Sequence, residues 1–320
     1  MNTAPSLKVL LLHIAVIAIF FGLQFVLPEY HHLAMTRVMV LAIFAMGYNL
    51  LFGYTGLLSL GHALFFASGL YGAGLAAYHL EWSVPAAFLC GILAGFVMSL
   101  FVGLISLRTT GVAFMIVTMM FAQVAYLASL YFSQWTRGEE GLVLPQSARS
   151  FDLAGLTFDL TDAATRYNLA FVLMTVALLI CFIIVRSPLG RAMIAVRENE
   201  PRTLMLGYDT FRLKLVALMV SGSLSAMAGA TYALLFAYIG SSFASIQYSI
   251  EALLFTLLGG AGTVLGPLLG TVSMFYMIDI ASNYTPAYML VTGIMLVFLI
   301  PFFPRGILGS IRERWLKWLP

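Results

Sequence analysis

The stretch SPLGRAMIAVRENEPRTLMLGYDTFRLK, Ser187–Lys214, lies between two long apolar runs, Tyr167–Val185 and Leu215–Ile239. Together with Arg186 it holds nine of the 29 Lys, Arg, Asp and Glu residues of the chain. Each flanking run has the length, about 20 residues, that a helix needs to cross a hydrocarbon core about 30 Å thick. The pattern therefore predicts two membrane-spanning helices joined by a charged loop, residues 186–214, outside the bilayer.

Composition extends this interpretation to all 320 residues. Hydrophobic residues make up 62% of the chain, charged residues 9%, and the mean hydropathy is +0.99, whereas soluble domains carry about 25% charged residues. We expect one domain over residues 1–320, an all-α, polytopic transmembrane helical bundle with roughly 8–10 spans. The expected spans are Leu7–Leu27, Leu33–Phe52, Ser59–Leu80, Val84–Leu107, Val112–Phe132, Tyr167–Val185, Leu215–Ile239 and Pro286–Phe303.

Glycines interrupt two apolar regions, where broken or re-entrant helices are expected. In GYTGLLSLGHALF, Gly53–Phe65, the pattern favours a turn at Gly53–Gly56 followed by a regular helix. A helix broken beside a transport pathway is the alternative, because non-helical backbone at membrane depth needs protein or water around it. Residues 248–283 leave three arrangements open: one broken span, two spans, or a span with a re-entrant hairpin.

Small residues recur at every fourth position in three places, which allows helix backbones to approach closely in lipid. We expect these positions to serve helix packing, with sliding of the faces during a change of state as the alternative. The positions are Gly91 and Gly95; Ser221, Ser225, Gly229 and Ala233; and Gly262, Gly266 and Gly270.

Positive charge predicts the orientation, since Lys and Arg in short loops are retained in the cytoplasm. Twelve of the 16 Lys and Arg residues fall on one side of the expected spans, and four, Arg37, Arg137, Arg149 and Arg166, fall near the other. Both termini and residues 186–214 are therefore expected in the cytoplasm. Residues 133–166 then form an outer loop, which is periplasmic if the membrane is a bacterial inner membrane.

Motifs for chemistry are absent from the sequence. None of the three lysines follows a glycine-rich turn, so the chain has no phosphate-binding P-loop. No paired-histidine zinc motif or nucleophile elbow occurs, and Cys90 and Cys181 lie in apolar runs where thiols pack as small hydrophobes. We expect neither an enzyme nor a site for a cofactor, a metal or nucleic acid on this chain.

Polar residues inside the expected spans are the candidates for a translocation pathway, because such groups are costly in lipid. For His62, Thr118 and Gln123, hydrogen bonding within helix packing is the favoured alternative. Glu251 and Asp279 are candidates for binding a coupling proton, with an interfacial position as the alternative. The candidate pathway residues are Ser59, His62, Thr118, Gln123 and Glu251.

The charged loop contains signals for a short helix. Pro201 suits a first turn because its missing N–H would be unpaired there, and Gly207 suits a left-handed stop. The spacing predicts a helix over Pro201–Leu206. A helix of this length is unstable alone in water, so we expect it to dock on a partner.

Three segments resemble the permease subunits of bacterial branched-chain amino-acid ABC importers. The loop is similar to S-x-x-G-R-A-x-x-A-x-R-E-N-E followed by a coupling helix and a glycine. Gly53–Phe66, GYTGLLSLGHALFF, and Leu257–Gly270, LLGGAGTVLGPLLG, resemble two further motifs in the same order, so the likeness covers residues 37–310. The matching loop residues are Ser187, Gly190, Arg191, Ala192, Ala195, Arg197, Glu198, Asn199, Glu200 and Gly207.

The resemblance implies a subunit of an importer in the bacterial inner membrane, with a second homologous permease, two ABC ATPase subunits and a periplasmic substrate-binding protein as partners. ATP and Mg²⁺ would bind to the ATPase subunits. The implied coupling residues are Gly190, Arg191, Arg197, Glu198, Asn199, Glu200, Pro201, Arg202 and Gly207.

Alternatives remain open for the transported substrate and for the class of transporter. Thr136–Leu142, TRGEEGL, departs from the T-G-G-x-x-G-L pattern common in the family. Urea, short amides or another small solute therefore remain alternatives to leucine, isoleucine and valine. The alternative of another class is a proton-coupled secondary transporter that uses Glu251 or Asp279.

Overall fold

Helices form most of the chain that the computed structural model describes, residues 7–153, 156–287, 290–295, 297 and 306–314. The long and medium helices are α1 (Leu7–Leu23), α2 (Glu29–Thr55), α3 (His62–His79), α4 (Val84–Ser106), α5 (Val112–Tyr131), α7 (Ala163–Arg186), α10 (Thr210–Phe236), α11 (Ile246–Gly259) and α12 (Gly266–Tyr284). The shorter helices are α6 (Ser133–Thr136), α8 (Pro188–Glu198), α9 (Glu200–Met205) and α13 (Gly306–Arg314). The described chain is thus an all-α bundle, as expected.

Seven of the eight expected spans coincide with helices. Five helices, α2, α4, α5, α7 and α10, are long and apolar enough to cross a membrane, and α1 and α11 are shorter apolar helices. In the expected span Pro286–Phe303, residues 290–295 and 297 are helical, whereas 288–289, 296 and 298–303 lie outside the described residues. The polytopic membrane fold predicted from hydropathy is confirmed.

Burial separates the central helices from the peripheral ones. Within the most apolar 18-residue window of each helix, 94% of α2 and 67% of α10 is buried, against 22% of α5 and 28% of α4 and α7. Helix α10 packs on α2, α3 and α4, while α2 also packs on α7, α11 and α12. The bundle is therefore organised around α2 and α10, and α4, α5 and α7 present apolar faces to lipid.

The backbones of α3 and α10 touch where their glycines meet. A Cβ atom built on Gly229 would lie 1.9 Å from the carbonyl oxygen of Phe66, and one on Gly69 would lie 2.0 Å from that of Ala226. Gly91 of α4 faces the carbonyl oxygen of Gly69 in the same way, at 2.6 Å. The expected packing role of the small-residue stripes is confirmed here.

The break between α2 and α3 lies later than the sequence suggested. Helix α2 continues to Thr55 and ends at Gly56, whose φ of +76° is left-handed. The turn expected at Gly53–Gly56 is therefore wrong, and the non-helical residues are 56–61. Their polar groups are paired within the protein, since the Tyr48 hydroxyl donates to the Ser59 carbonyl at 3.0 Å.

Residues 246–284 form a helical hairpin. Helix α11 has 14 residues, about 21 Å of length at 1.5 Å per residue, which is shorter than the hydrocarbon core. It stops at Gly260, and α12 begins at Gly266 and packs back along it. Among the three arrangements left open, the structure adopts a short helix that turns within the bundle and a longer one that returns.

Residues 133–166 and the segment after α10 contain short strands that were not predicted from the sequence. Strand β1 (Leu142–Val143) pairs antiparallel with β4 (Tyr238–Ile239), which follows α10. Strand β2 (Ser150–Leu153) pairs with β3 (Leu156–Asp159). Strands of two or four residues show too little alternation of apolar and polar residues to be recognised in a sequence. The pairing of β1 with β4 connects the loop to the end of α10.

Asp162 caps the helix that leaves this loop. Its Oδ2 accepts hydrogen bonds from the backbone N–H and the hydroxyl of Thr165, at 2.8 and 2.9 Å. These bonds favour the ionised carboxylate and hold the pKa of Asp162 below its ordinary value.

We expect Gly229→Ala to destabilise the protein by about 1–3 kcal/mol, because a rigid carbonyl oxygen cannot move away from the new methyl group. Thermal unfolding of the purified protein in detergent measures the effect. Gly22→Ala on α1 is the matched control, since no atom lies within 4 Å of its added Cβ. Equal unfolding midpoints for the two variants would contradict the close approach of α3 and α10.

The cap at Asp162 predicts a pH dependence at the start of α7. Its folded pKa is lowered, so its stabilising contribution is complete above the unfolded pKa of about 3.9 and is lost as the pH falls through the folded pKa. Hydrogen exchange of the Thr165 amide, corrected for intrinsic rates, should lose protection on acidification. Asp162→Asn should remove this dependence and Asp152→Asn should keep it; persistence in Asp162→Asn would show that another group titrates.

Candidate functional site

Two capped helices make up the coupling segment, which we define as residues 186–214. The Asn199 side chain begins α9 by accepting a hydrogen bond from the Arg202 N–H at 2.9 Å, and Gly207 follows its end with a φ of +86°. The helix covers Glu200–Met205, one residue earlier than the predicted Pro201–Leu206. The predicted short helix and its left-handed glycine stop are confirmed.

The sequence analysis missed α8, the longer helix of the coupling segment. Ser187 caps it by accepting from the Gly190 N–H at 3.3 Å. Gly190, Ala192, Met193 and Val196 form its buried face, which packs on α2, α7 and α10. The spacing of these small and apolar residues was the signal that could have identified it.

Arg197 links the coupling segment to both glycine-rich motifs. Its Nη1 donates to the carbonyl oxygen of Gly53 near the end of α2, and its stem covers Gly56, where an added Cβ would lie 2.8 Å from Arg197 Cγ. A Cβ on Gly262 would lie 3.1 Å from the same Nη1. Glu198 holds the guanidinium from the other side, with Nη2 to Oε1 at 2.7 Å. The three segments that carried the family resemblance therefore meet at one arginine.

Asn49 makes the second link between these motifs, and the sequence analysis did not single it out. Its Nδ2 donates to the carbonyl oxygen of Thr263 at 2.9 Å, and its Oδ1 accepts from the Gly262 N–H at 2.9 Å. Gly53 leaves space for this contact, because a Cβ there would lie 2.1 Å from Asn49 Oδ1. One buried amide thus holds the turn between α11 and α12 against α2.

Glu200 is tied to the start of α10. The ammonium group of Lys214 forms an ion pair with Glu200 Oε1, and the Lys214 side chain is almost fully buried. A buried ammonium is costly without a paired charge, so the pair fixes α9 relative to α10. Lys214 is a further functional candidate that the sequence analysis missed, since its partner lies 14 residues away and becomes adjacent only in the fold.

An exposed apolar surface caps the coupling segment. We call Leu204, Met205, Leu206 and Tyr208 the apolar tip; their exposed fractions are 60%, 87%, 71% and 51%. Pro201 and Arg202, in the helix that carries the first two of these residues, are also exposed, as is Arg191 on α8. Apolar side chains this exposed, next to cations and outside the apolar spans, are typical of a surface that binds another protein.

Three candidate pathway residues are closed off from solvent. The Nε2 atom of His62 lies 2.8 Å from Ser221 Oγ, which donates to the Gly47 carbonyl, so this contact joins α3, α10 and α2. Ser59 Oγ accepts from the N–H of Gly61, and Thr118 Oγ1 donates to a carbonyl of its own helix. In this conformation all three are placed as packing residues.

Gln123 and Glu251 occupy different surroundings. Gln123 is half-buried on α5. Glu251 lines a cavity of 580 Å³ between α2, α10, α11 and α12, which we call the chamber. The structure does not bring the other four candidate residues into its lining. The chamber is lined by Arg37, Leu41, Tyr232, Phe243, Tyr248, Glu251, Leu254, Phe255, Met274, Phe275, Ile278, Asp279, Ser282, Thr292 and Gly293.

The chamber and the Arg197 contacts lie at opposite ends of the same helices. Arg37 is in the third turn of α2 and Glu251 in the second turn of α11, whereas Gly53 and Gly260 are near the far ends of those helices. Asp279 and its hydrogen-bond donor, the Tyr30 hydroxyl, lie at the chamber end. This is the end at which β1 of the outer loop pairs with β4.

Residues 30–300 match the family described as branched-chain amino acid transport system / permease component. This match covers most of the chain. The chain belongs to this family. The resemblance noted in the coupling segment and the two glycine-rich motifs is thereby confirmed, and the chain is a membrane transport component rather than a catalytic one.

Individual relatives agree with the family. The chain is 27% identical over 301 residues to the high-affinity branched-chain amino acid transport system permease proteins LivM of Escherichia coli (strain K12) and Salmonella typhimurium (strain LT2), covering 87% of this chain and 70% of each relative. It is 30% identical over 120 residues to the autoinducer 2 import system permease protein LsrC of Photorhabdus laumondii, covering 36% of this chain and 35% of that protein. No solved structure gives a significant match.

We expect Asn49→Ala to lower the free energy of unfolding by about 1–3 kcal/mol, because a buried N–H and a buried carbonyl lose their partner. Thermal unfolding in detergent measures this loss. Asn168→Ala is the matched control, since the Asn168 amide bonds only a carbonyl of its own helix at an exposed position. A midpoint for Asn49→Ala equal to that of the control would mean that the link does not hold α2 to the hairpin.

Proposed function

We propose that this chain is the membrane-spanning permease subunit of an ATP-binding cassette importer that carries branched-chain amino acids across a bacterial inner membrane. Family membership supports the permease role. The LivM relatives, which are branched-chain amino acid permease proteins, support branched-chain amino acids as the substrate. We do not propose a proton-coupled carrier that works alone, because the members of this family are permease components of a larger transport system.

The observation that carries the coupling role is the position of the apolar tip. It is exposed, while the residues directly behind it are anchored by the Lys214–Glu200 ion pair and by the Arg197 bond to Gly53. A surface mounted on anchored helices transmits force, whereas a flexible loop would absorb it. Two ATPase subunits, one for this chain and one for a second homologous permease, would dock on such surfaces.

The proposed mechanism follows the contacts inward from the tip. Closure of the ATPase subunits on ATP and Mg²⁺ would displace α9 and α8. Arg197 would carry this displacement to α2, and the Asn49 link would carry it to the turn between α11 and α12. Because α11 runs from this turn to Glu251, about 14 Å away at 1.5 Å per residue, the chamber would change shape as the tip moves. This chain binds neither ATP nor Mg²⁺ in the proposal.

The orientation belongs to the same proposal. Positive charge supports placing both termini and the coupling segment in the cytoplasm, with residues 133–166 in the periplasm. A periplasmic binding protein would then deliver the substrate to the chamber end of the bundle, and the ATPase subunits would act at the opposite end. The chain would be a multi-pass protein within the lipid bilayer.

The tip proposal predicts the effect of a single charge. Leu206→Asp should weaken ATPase binding by at least about tenfold, since burying a leucine contributes about 1.5–3 kcal/mol and a desolvated carboxylate opposes docking. The measurement is co-purification of the ATPase subunits with the tagged chain in mild detergent, together with ATP hydrolysis stimulated by the loaded binding protein.

Leu80→Asp is the matched control, because Leu80 is 59% exposed at the end of α3, at the opposite end of the bundle from the tip. It should retain the ATPase subunits. If Leu206→Asp and Met205→Asp both retain wild-type amounts of ATPase and full stimulated hydrolysis, the tip is not the docking surface.

A further inference from the structure

The chamber has the size and composition of a small-molecule site. Its volume of 580 Å³ lies within the range of about 300–1,000 Å³ that ligand pockets occupy. Aliphatic and aromatic side chains line most of it, and charged groups enter from three helices. Its apolar part is formed by Leu41, Leu254, Phe255, Met274, Phe275 and Ile278.

None of the three charged groups of the chamber has an opposite charge as its partner among the described residues. Asp279 already accepts a hydrogen bond from the Tyr30 hydroxyl. The guanidinium carbon of Arg37 lies 6.0 Å from the centre of the Tyr232 ring and 5.4 Å from that of Phe236. Neither Arg37 nor Glu251 is within ion-pair distance of an opposite charge among the described residues. The Glu251 carboxylate also makes no hydrogen bond to a described side chain or backbone group.

This arrangement is costly unless a ligand completes it. A partly buried carboxylate without a partner loses hydration and gains no compensating bond, and intramembrane charges of this kind mark substrate pathways. Arg37 is exposed at the edge of the chamber and Glu251 is half-buried deeper in it. They line the same cavity without forming an ion pair with each other, so a molecule in the chamber lies between helices that carry both charges.

The two free charges select a class of molecule. A guanidinium binds a carboxylate with two parallel hydrogen bonds, and a carboxylate accepts from an ammonium group. An occupant with one negative group, one positive group and an aliphatic chain satisfies Arg37, Glu251 and the apolar lining together. Urea and short amides are uncharged and would leave both charges without a counter-charge.

We propose that the chamber is a transient binding site for a zwitterionic amino acid with an aliphatic side chain, whose carboxylate is bound by Arg37 and whose ammonium group is bound by Glu251. This proposal rests on the proposed importer function and deepens it. It adds a selective step within the permease, after release from the binding protein, and it favours an amino acid over urea or an amide as the transported solute.

The first experiment measures ATP-driven leucine uptake by the whole complex in proteoliposomes. Arg37→Gln and Glu251→Gln should each reduce uptake by about tenfold or more, which is about 1.4 kcal/mol, because each removes the charge that binds one end of the zwitterion. Arg108→Gln and Glu81→Gln make the same substitutions at exposed positions outside the chamber lining and should transport normally.

The second experiment keeps both charged residues and therefore does not depend on how well those variants fold. Ser282, at the edge of the chamber, is replaced by cysteine in a chain with Cys90→Ala and Cys181→Ala, and its alkylation by a maleimide is timed in the purified complex. Leucine should slow alkylation, whereas urea, leucinamide and 4-methylpentanoate, which each lack one or both charges of the zwitterion, should not.

The outcomes separate the two proposals. If the wild-type complex takes up leucine with ATP but Arg37→Gln and Glu251→Gln do so at the wild-type rate, or if leucine and urea affect Ser282→Cys alkylation equally, the zwitterion site is wrong and the importer function stands. If the wild-type complex neither takes up an aliphatic amino acid nor hydrolyses ATP in response to the binding protein, both proposals fail.

Discussion

Backbone hydrogen bonding without water is the constraint on which this structure depends. A helix in lipid satisfies its own polar groups, but each interruption exposes donors and acceptors that other parts of the protein must pair. Two such interruptions lie within the described part of the bundle, at residues 56–61 and 260–265. The Tyr48 hydroxyl donates a hydrogen bond to a carbonyl of the first, and the Asn49 side-chain amide bonds a carbonyl and an N–H of the second. Two neighbouring residues in the C-terminal third of α2 therefore stabilise both breaks.

This constraint also explains why the central helices carry polar residues. Ser221 and Ser249, both fully buried, pair with groups of other helices rather than with water. Ser249 Oγ accepts from the Ala63 N–H in the first turn of α3, where a helix in lipid would otherwise leave a donor unpaired. Such residues resemble pathway residues in a sequence, although their hydrogen bonds here join helices.

The two ends of the bundle have different physical characters. At one end, Arg197 and the Lys214–Glu200 pair connect the coupling segment to α2 and α10, and Asn49 connects α2 to the turn between α11 and α12. At the other end, a partly open chamber holds Arg37 and Glu251, which have no counter-charge among the described residues. An importer subunit requires rigid contacts at the end where the ATPase subunits would act. It also requires charged groups that are free to bind a solute at the other end. Helices α2 and α11 run between the two ends, so a displacement at one reaches the other.

The sequence by itself determined the membrane class, the approximate bounds of seven helices, the short α9 helix and the family. These follow from local properties: apolar length, charge density, and the conformations that proline and glycine permit. Tertiary structure decided which polar residues act together. Asn49 and Thr263 are more than 200 positions apart, and Arg37 and Glu251 lie in runs that no periodicity relates. The Asn49 contact depends on the close approach of α2 to the turn after α11, where a Cβ added to Gly53 would lie 2.4 Å from the Gly262 nitrogen. Such approaches depend on how helices cross, which hydropathy and spacing along one chain do not specify.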